Sequence, residues 1–298
     1  MELRDIEIFL TLAEELHFAR TAARLHVTPA RVTQAIKKQE RQVGAPLFDR
    51  STRRVRLTPL GRQLRDDLWP IYTGLQDGMR RARLAAQGIT GVLRVGMIPY
   101  NAYDLQRYWE TFRSHHPQWK LQIRMAPHVD PFAGLRRGDI DVLVAWLPVE
   151  EADLTVGPAL LIETRVLAVA ADHELTRHTA VSVEMLADFR HSDAPSRPDY
   201  WGESYCPPQT PAGHRIDRSL VMNTAEEILS AVTAGEAVTL FPQHVSRYWS
   251  RPDVTYLPVL DMNVLAFALV WQTEAENDMI RALSQIVRDL GPFDGAAL

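Results

Sequence analysis

The chain has 298 residues, of which 46% are hydrophobic and 23% are charged, so it is long enough for two or three folded domains. Its net charge of -4 hides an asymmetry, because residues 1–65 carry a net charge of +6 and the remainder carries -10. The single cysteine, Cys206, excludes an internal disulfide and a cysteine-rich metal cluster. A basic N-terminal segment followed by an acidic remainder predicts one module that binds a polyanion and another that binds a different partner.

The sequence also gives no sign of export or membrane insertion. No run of eighteen apolar residues occurs, and Asp5 and Glu7 stand where a signal peptide would be basic and then apolar. We therefore expect a cytoplasmic protein that does not contact a membrane.

The N-terminal segment has the pattern of three helices. Apolar residues at helical spacing predict a first helix in Leu3–Leu16 and a second in Phe18–Leu25. Thr28 and Pro29 are typical of a helix start, because the threonine hydroxyl caps free amides and proline suits the first helical position. They predict a third helix over Pro29–Val43, joined to the second by a tight turn.

One face of the third predicted helix carries Val32, Ile36 and Val43, and the opposite face is polar and basic. Residues 17–65 include 12 lysines and arginines against 2 acids. Such a face suits a recognition helix in the DNA major groove, although an ordinary solvated hairpin can also have a basic face. The expected DNA contacts from this helix are Thr28, Ala30, Arg31, Thr33, Gln34, Lys37 and Lys38.

A short β-hairpin is predicted next, because Leu47–Arg50 and Val55–Leu57 alternate apolar and polar residues around Ser51–Arg53. A basic hairpin beside a basic helix is typical of the winged helix-turn-helix, whose wing contacts the DNA backbone or minor groove. The expected wing contacts are Arg50, Arg53 and Arg54.

A long helix, roughly 40 Å at about 1.5 Å per residue, is predicted from Pro59 to about Gln87. Its apolar residues recur at nearly heptad spacing, which favours a dimer seam. The alternative is that this helix packs against the rest of its own chain. These apolar residues are Leu60, Leu64, Leu68, Ile71, Leu75, Met79, Ala82 and Ala86.

From Gly91 onward, predicted buried strands alternate with helices, as in parallel α/β units. A first set spans Gly91–Trp146 and a second spans Arg165–Val259. We expect the last strand, Leu265–Trp271, and the helix Glu274–Leu290 to complete the first lobe.

Ligands in open α/β lobes bind at the carboxyl ends of strands, where helix N-termini present free N–H groups. Some of the side chains at these places are also good helix caps, and aromatic residues are commonly core residues. No catalytic arrangement emerges, so we expect neither enzymatic activity nor a cofactor or metal, and Cys206 has no neighbouring base in sequence. The candidate ligand contacts are Pro99, Tyr100, Asn101, Trp146, Arg197, Tyr200, Asn223 and Thr224.

The run from Leu3 to Gly61 resembles the DNA-binding domain of the LysR-type transcriptional regulators. The resemblance rests on many residues at fixed offsets: Phe9, Ala22-Ala23, Leu25-His26-Val27-Thr28, Ile36, Glu40, Gly44, Leu47-Phe48-Asp49-Arg50, Val55-Arg56-Leu57-Thr58 and Gly61. Less specific motifs extend it to an effector-binding domain built like a periplasmic solute-binding protein: Gly96–Asn101, Gly138–Asp141 and Gly235–Pro242.

The resemblance implies an α/β protein with a winged N-terminal domain: residues 1–58 for DNA, 59–90 as linker and dimerisation helix, and 91–298 for an effector. Within the last, lobe I would comprise 91–162 and 265–298, and lobe II 163–264. The implied partners are double-stranded DNA with inverted-repeat character, a second or further copy of the chain as dimer or tetramer, a carboxylate or aromatic effector, and RNA polymerase. The alternatives are a regulator without an effector, and a ligand-binding or enzymatic α/β protein with an accessory N-terminal module.

Overall fold

The protein is described here by a computed structural model covering residues 2–50, 55–99, 101–194 and 196–295. It divides into two compact units, Met1–Gly88 and Ile89–Leu298. In chain order the first unit contains α1 (Leu3–Glu15), α2 (Phe18–Arg24), α3 (Pro29–Val43), β1 (Phe48–Arg50), β2 (Val55–Leu57) and α4 (Pro59–Ala86).

Both Thr-Pro pairs start helices, as predicted. The Thr28 hydroxyl accepts a hydrogen bond from the backbone N–H of Arg31 at 3.2 Å, and the Thr58 hydroxyl accepts one from Gly61 at 2.9 Å. These bonds satisfy amides that have no partner within the helix. β1 and β2 pair antiparallel, which confirms the hairpin, and the residues between them at positions 51–54 lie outside the described part of the chain.

The core of the first unit holds α1 against α3 and the hairpin. The rings of Phe9 and Phe48 meet edge to face at 5.6 Å, an arrangement that aromatic pairs favour. A Cβ on Gly61 would stand 2.1 Å from the carbonyl oxygen of Leu47, so α4 approaches the hairpin closely enough to require glycine there. The remaining buried apolar residues include Ile8, Leu12, Val32, Ile36 and Leu57.

The apolar stripe of α4 does not behave as one continuous seam. Leu60, Leu64 and Leu68 are partly buried against the core of their own unit, which is the alternative to a dimer seam for this half. Further along, Ile71 and Leu75 are 68% and 46% exposed. The first half is covered because α4 begins beside the hairpin and runs along α1 before it leaves the core.

The second unit starts with β3 (Gly91–Met97), α5 (Gln106–His115), β4 (Trp119–Met125), α6 (Ala133–Arg136), β5 (Val142–Trp146) and β6 (Leu154–Glu163). It continues through β7 (Arg165–Ala170), β8 (Arg190–Asp193), α7 (Asp199–Tyr205), β9 (Asp217–Val221), α8 (Ala225–Thr233), β10 (Thr239–Pro242), α9 (Val245–Tyr248) and β11 (Val254–Pro258). It ends with β12 (Leu265–Gln272), α10 (Asp278–Leu290) and β13 (Phe293–Asp294).

The first lobe is built on a six-stranded sheet in the order β13-β6-β12-β5-β3-β4. β12 lies inside this sheet, which confirms that the predicted strand Leu265–Trp271 returns to the first lobe. The expectation of parallel units holds for β3, β4 and β5 but is wrong for β12, which runs antiparallel to both β5 and β6. The reason is the double crossing: β6 carries the chain out of the lobe, and β12 brings it back in the opposite direction.

β6 is absent from the predicted elements, and Gly157-Pro158 in its middle explains why. Proline cannot donate to a strand ladder and glycine weakens one, so the pair interrupts the pattern of a strand. The register between β6 and β12 shifts in this region, between the pairs Phe267–Leu161 and Val270–Val156, so the irregularity accommodates the proline.

The second lobe contains an antiparallel sheet in the order β10-β7-β11 and a parallel pair, β8 with β9. A 3-10 helix, Val183–Asp188, precedes β8, and α8 packs beside β7. Among the described residues, no helix has the length and apolar character that crossing a bilayer requires.

Candidate DNA-binding surface and ligand cleft

The outward face of α3 is formed by residues one helical turn apart. Ala30, Gln34 and Lys37 are exposed, while Val32 and Ile36 are buried on the opposite side. The side chains of Gln34 and Lys37 form no hydrogen bond or ion pair with the described residues, so both remain available to an external partner. An amide, a cation and a small residue on one exposed helical face are suited to base edges and phosphates.

Arg31 and Lys38 differ from these residues, because both are held by Asp5 of α1. Arg31 Nη2 donates to Asp5 Oδ1 at 2.9 Å, and Lys38 Nζ donates to Asp5 Oδ2 at 3.0 Å. The Asp5 side chain is completely buried, which alone would raise its pKa. The hydrogen bonds from Lys38 and Arg31 outweigh burial and hold the pKa of Asp5 below its usual value.

The two threonines of the predicted surface serve α3 itself. Thr28 caps the helix, and the Thr33 hydroxyl donates to the carbonyl of Pro29 at 3.0 Å. In the hairpin, the backbone of Arg50 pairs with Val55, but the Arg50 side chain lies outside the described part of the structure. Two further predicted wing contacts, Arg53 and Arg54, lie wholly outside it.

In the second unit, a cleft of about 800 Å³, counting the space open at its mouth, lies between the two lobes. Its walls are mainly apolar and aromatic, and it therefore suits the apolar body of a small molecule. The lining comes from well-separated segments: Ile98, Pro99, His128, Trp146, His191–Ala194, Arg197, Tyr205, Cys206, Ala225, Ile228, Thr239–Pro242, His244, Val245, Trp249 and Phe267.

Arg197 brings a positive charge into this apolar cleft. Its side chain is only 8% exposed and forms an ion pair with Asp193, and its Nε has no hydrogen-bond partner within the described chain. Gly202 of α7 allows the close approach, since a Cβ there would lie 2.9 Å from Arg197 Nε. A guanidinium that lines an apolar cleft can bind a carboxylate or another anion.

Histidine side chains also line the cleft. Burial, with a smaller contribution from the charge of Arg197, lowers the pKa of His128, and burial also lowers that of His191. His244 is fixed at the start of α9 by Glu163 at the end of β6, since its ring nitrogen Nδ1 lies 2.7 Å from the carboxylate. This buried pair links the crossing strand to the second lobe.

The indole rings of Trp146 and Trp201 stack at 3.4 Å and are nearly parallel, with an angle of 10°. Trp146 Nε1 donates to the carbonyl of Trp201 at 3.2 Å, and Trp201 Nε1 donates to the carbonyl of Trp146 at 2.9 Å. Phe132 meets Trp201 edge to face. The reciprocal bonds satisfy both indole N–H groups and hold α7 against the end of β5.

The predicted ligand contacts divide into two groups. Pro99, Trp146 and Arg197 line the cleft. Asn101 is fully buried close by, and both polar atoms of its amide lack partners among the described residues, but it does not line the cleft. Tyr100 lies outside the described residues.

The other group serves local structure. The Tyr200 hydroxyl donates to Glu151 at 2.9 Å and accepts from the backbone of Glu150 at 3.1 Å. Asn223 and Thr224 are exposed, and the Thr224 hydroxyl accepts from the backbone N–H of Glu227 at 3.2 Å. The Glu227 carboxylate accepts in return from the N–H of Asn223, the residue before the capping threonine, at 2.8 Å, so both side chains stabilise the start of α8.

Sequence reasoning missed several cleft residues, notably His128, His191, Asp193 and His244. Asp193 ends β8 and His244 follows β10, so the rule that ligands bind at strand ends could have found both once the strands were known. β8 itself is hard to see, because its sequence, Arg190–Asp193, is entirely polar.

Cys206 also lines the cleft, as a buried thiol. Burial raises its pKa to about 11. Because the thiolate is the reactive form, this cysteine is a poor nucleophile at neutral pH.

A winged helix-turn-helix with an exposed basic recognition helix, followed by a two-lobed α/β unit with a cleft, defines a DNA-binding regulator with a ligand-binding domain. Comparisons with known families agree with this architecture. The model for "Bacterial regulatory helix-turn-helix protein, lysR family" matches residues 3–62, and the model for "LysR substrate binding domain" matches residues 86–292.

Among curated proteins, the chain is 26% identical over 294 residues to the HTH-type transcriptional regulator AlsR of Bacillus subtilis, covering 94% of this chain and 93% of that protein. It is 32% identical over 187 residues to the HTH-type transcriptional regulator IlvY of Escherichia coli, covering 62% of each. Among solved structures, full-length CbnR complexed with its target DNA has a TM-score of 0.69 at 21% identity, covering 98% of this chain and 100% of that one.

The chain belongs to the LysR family of bacterial transcriptional regulators. Its activity is therefore the regulation of transcription through DNA binding by the N-terminal domain, with a substrate-binding domain after it.

Proposed function

We propose that the regulator responds to a small molecule that carries a carboxylate or a similar anionic group on an apolar body, bound in the cleft between the lobes. The observation that carries this proposal is Arg197, a largely buried cation that lines a mainly apolar and aromatic cleft. The guanidinium supplies charge-assisted hydrogen bonds to the anion, and Trp146 and Phe241 cover the apolar part.

The test is a thermal-shift screen with small carboxylic acids, each paired with its uncharged amide, on wild type and on two variants. Arg197→Gln removes the charge, and Arg197→Lys keeps the charge but loses the forked donor geometry. We expect acids but not amides to raise the melting temperature of wild type. The shift should vanish in Arg197→Gln and shrink in Arg197→Lys.

Asp193 keeps a second cation in Arg197→Gln, since Arg218 Nε lies 3.7 Å from it, so the variant is expected to fold. If wild type responds to acid and amide alike, or Arg197→Gln keeps the full shift, the anion does not bind at Arg197. If no small molecule shifts the melting temperature, the better proposal is a regulator that acts without an effector.

We further propose that two copies of the chain associate through the second half of α4 and bind an inverted-repeat site. Ile71, Leu75 and Met79 support this, because they are 68%, 46% and 52% exposed and lie at seam spacing. In this proposal the regulator acts in the cytoplasm, where RNA polymerase is its further partner.

Changing Leu75 and Met79 together to Asp places charges in the seam and should reduce the mass measured by light scattering. Gln63→Asp, at an exposed position of the same helix, is the control and should keep the wild-type mass. If the double variant keeps that mass as well, the seam lies elsewhere.

A further inference from the structure

The most unusual polar feature of the first unit is a buried carboxylate that binds the recognition helix. Asp5 lies on α1, and both of its side-chain oxygens are used by cations of α3. Its backbone carbonyl accepts a further bond from Gln39 Nε2 at 2.5 Å. Lys38 and Gln39 follow Arg31 by seven and eight residues, which is about two helical turns. All three therefore lie on the face of α3 that is directed toward α1. The term charge clamp is used below for Asp5 with Arg31 and Lys38.

The clamp sits beside the DNA-facing surface, not beneath it. Arg31 and Lys38 keep 38% and 47% of their side-chain surface exposed, whereas Asp5 has none. Each cation also retains donors that Asp5 does not use, because guanidinium has five N–H groups and ammonium has three. Both heads therefore remain accessible at the edge of α3, but in positions set by Asp5.

A clamped cation contributes differently to DNA binding from a free one. Free lysines and arginines neutralise phosphates and release counterions, which gives sequence-independent affinity with a steep salt dependence. A cation that already shares a buried carboxylate adds less to that affinity. Its donors are instead pre-positioned, so less conformational freedom is lost when they meet a base edge.

We propose that Asp5 is a specificity-determining residue of this regulator, which restrains Arg31 and Lys38 so that they act as fixed donors and not as mobile phosphate contacts. The inference rests on DNA binding through α3. Within the same helix, Lys37 provides the comparison, because it is exposed and has no ion-pair partner among the described residues.

The test compares two neighbouring lysines in the intact protein. Its probes are a duplex selected from random sequence by the wild-type protein and a scrambled duplex of the same length. Lys37→Gln should reduce the slope of log affinity against log salt on the scrambled duplex by about one, the value for one lost phosphate contact. Lys38→Gln should reduce that slope clearly less than Lys37→Gln does, because Lys38 shares the negative charge of Asp5 with Arg31.

The complementary variant is Asp5→Asn, which keeps the shape of the side chain and removes its charge. We expect tighter binding to the scrambled duplex, a salt slope steeper by about one, and a several-fold fall in the ratio of selected to scrambled affinity. Glu2→Gln is the matched control, since it also removes a carboxylate near Lys38, at 3.4 Å, but one that is 74% exposed. It should change neither the slope nor the ratio.

The two lysine variants keep the proposal testable if Asp5→Asn does not fold. Equal slope losses in Lys37→Gln and Lys38→Gln would overturn the clamp, and so would an unchanged affinity ratio in folded Asp5→Asn. An unchanged slope in Lys37→Gln would instead show that the exposed face of α3 does not contact DNA phosphates. In that case the proposed DNA-binding surface, and not the clamp alone, would be wrong.

Discussion

The proposed DNA-binding surface and the proposed ligand cleft are assembled in opposite ways. The exposed residues of α3 come from one stretch of fifteen residues, Pro29–Val43, whose helix starts and ends on local signals. The cleft draws on segments as far apart as Pro99 and Phe267, brought together by two crossings of the chain. A surface built on one helix can change residue by residue without disturbing the fold, whereas a cleft built from remote segments depends on the packing that joins them.

The largest effect should follow from breaking that packing at Trp201. Trp201→Ala removes a fully buried indole stacked on Trp146 and should cost about 3–5 kcal/mol of unfolding free energy. Urea denaturation measures it, with Trp69→Ala as the control, because Trp69 is 44% exposed and its loss should cost less than about 0.5 kcal/mol. Similar losses in both variants would contradict a cleft held by the stacked pair.

The DNA-facing helix should respond in the opposite way, by losing affinity without losing stability. Gln34→Ala removes an exposed amide and should cost about 1–3 kcal/mol of binding free energy on a duplex selected by wild type. Denaturation of the same variant should be within about 0.5 kcal/mol of wild type. Fluorescence anisotropy with wild-type and base-substituted duplexes measures the affinity, and equal affinity of wild type and variant on the selected duplex would exclude Gln34 as a base reader.

Helix caps allow the same change to be made in both units. Thr58 caps α4 and Thr224 caps α8, so Thr58→Val and Thr224→Val should each cost about 0.5–2 kcal/mol of unfolding free energy. Thr224→Val should leave the ligand-induced thermal shift intact, because this threonine is exposed and outside the cleft lining. Loss of the ligand-induced shift in Thr224→Val, with an unchanged free energy of unfolding, would show that Thr224 contacts the ligand.

The smallest effect is a dependence on pH expected in the cleft and not on α3. Burial lowers the pKa of His128 and His191 below the ordinary value of 6.5, so both bind protons less readily in the folded protein than in the unfolded chain. Above pH 6.5 the two histidines therefore do not reduce the free energy of unfolding. Below pH 6.5 they reduce it, because protonation favours the unfolded chain. Melting temperatures recorded from about pH 7.5 to 5.5 should fall less steeply in His128→Gln than in wild type. Parallel curves would show that His128 does not titrate differently on folding.

A surface built on one helix can be predicted from the sequence more fully than a cleft built from remote segments. The bounds of α3 could be predicted because Thr28, Pro29 and Gly44 are local signals, whose meaning does not depend on the rest of the chain. The same local reasoning predicts Thr224 as a residue at a helix start, but it cannot distinguish a cap from a ligand contact.

Pairings between distant residues are a different matter. Arg31 and Lys38 are basic residues on a basic helix, and only the folded position of Asp5, 26 and 33 residues away, shows that they are held. Trp146 and Trp201 are 55 residues apart, and nothing in either neighbourhood indicates that they stack. The direction of β12 likewise depends on the crossing between lobes, which no local pattern encodes.

The neighbourhood of Arg197 and His128 has a calorimetric consequence. The charge of Arg197 disfavours protonation of His128, so an anion that neutralises the guanidinium would also make the imidazole easier to protonate. Ligand binding would then draw a proton from the buffer, and the heat of binding would depend on the ionisation enthalpy of that buffer. By the same linkage, affinity for the anion would increase as the solution becomes more acidic.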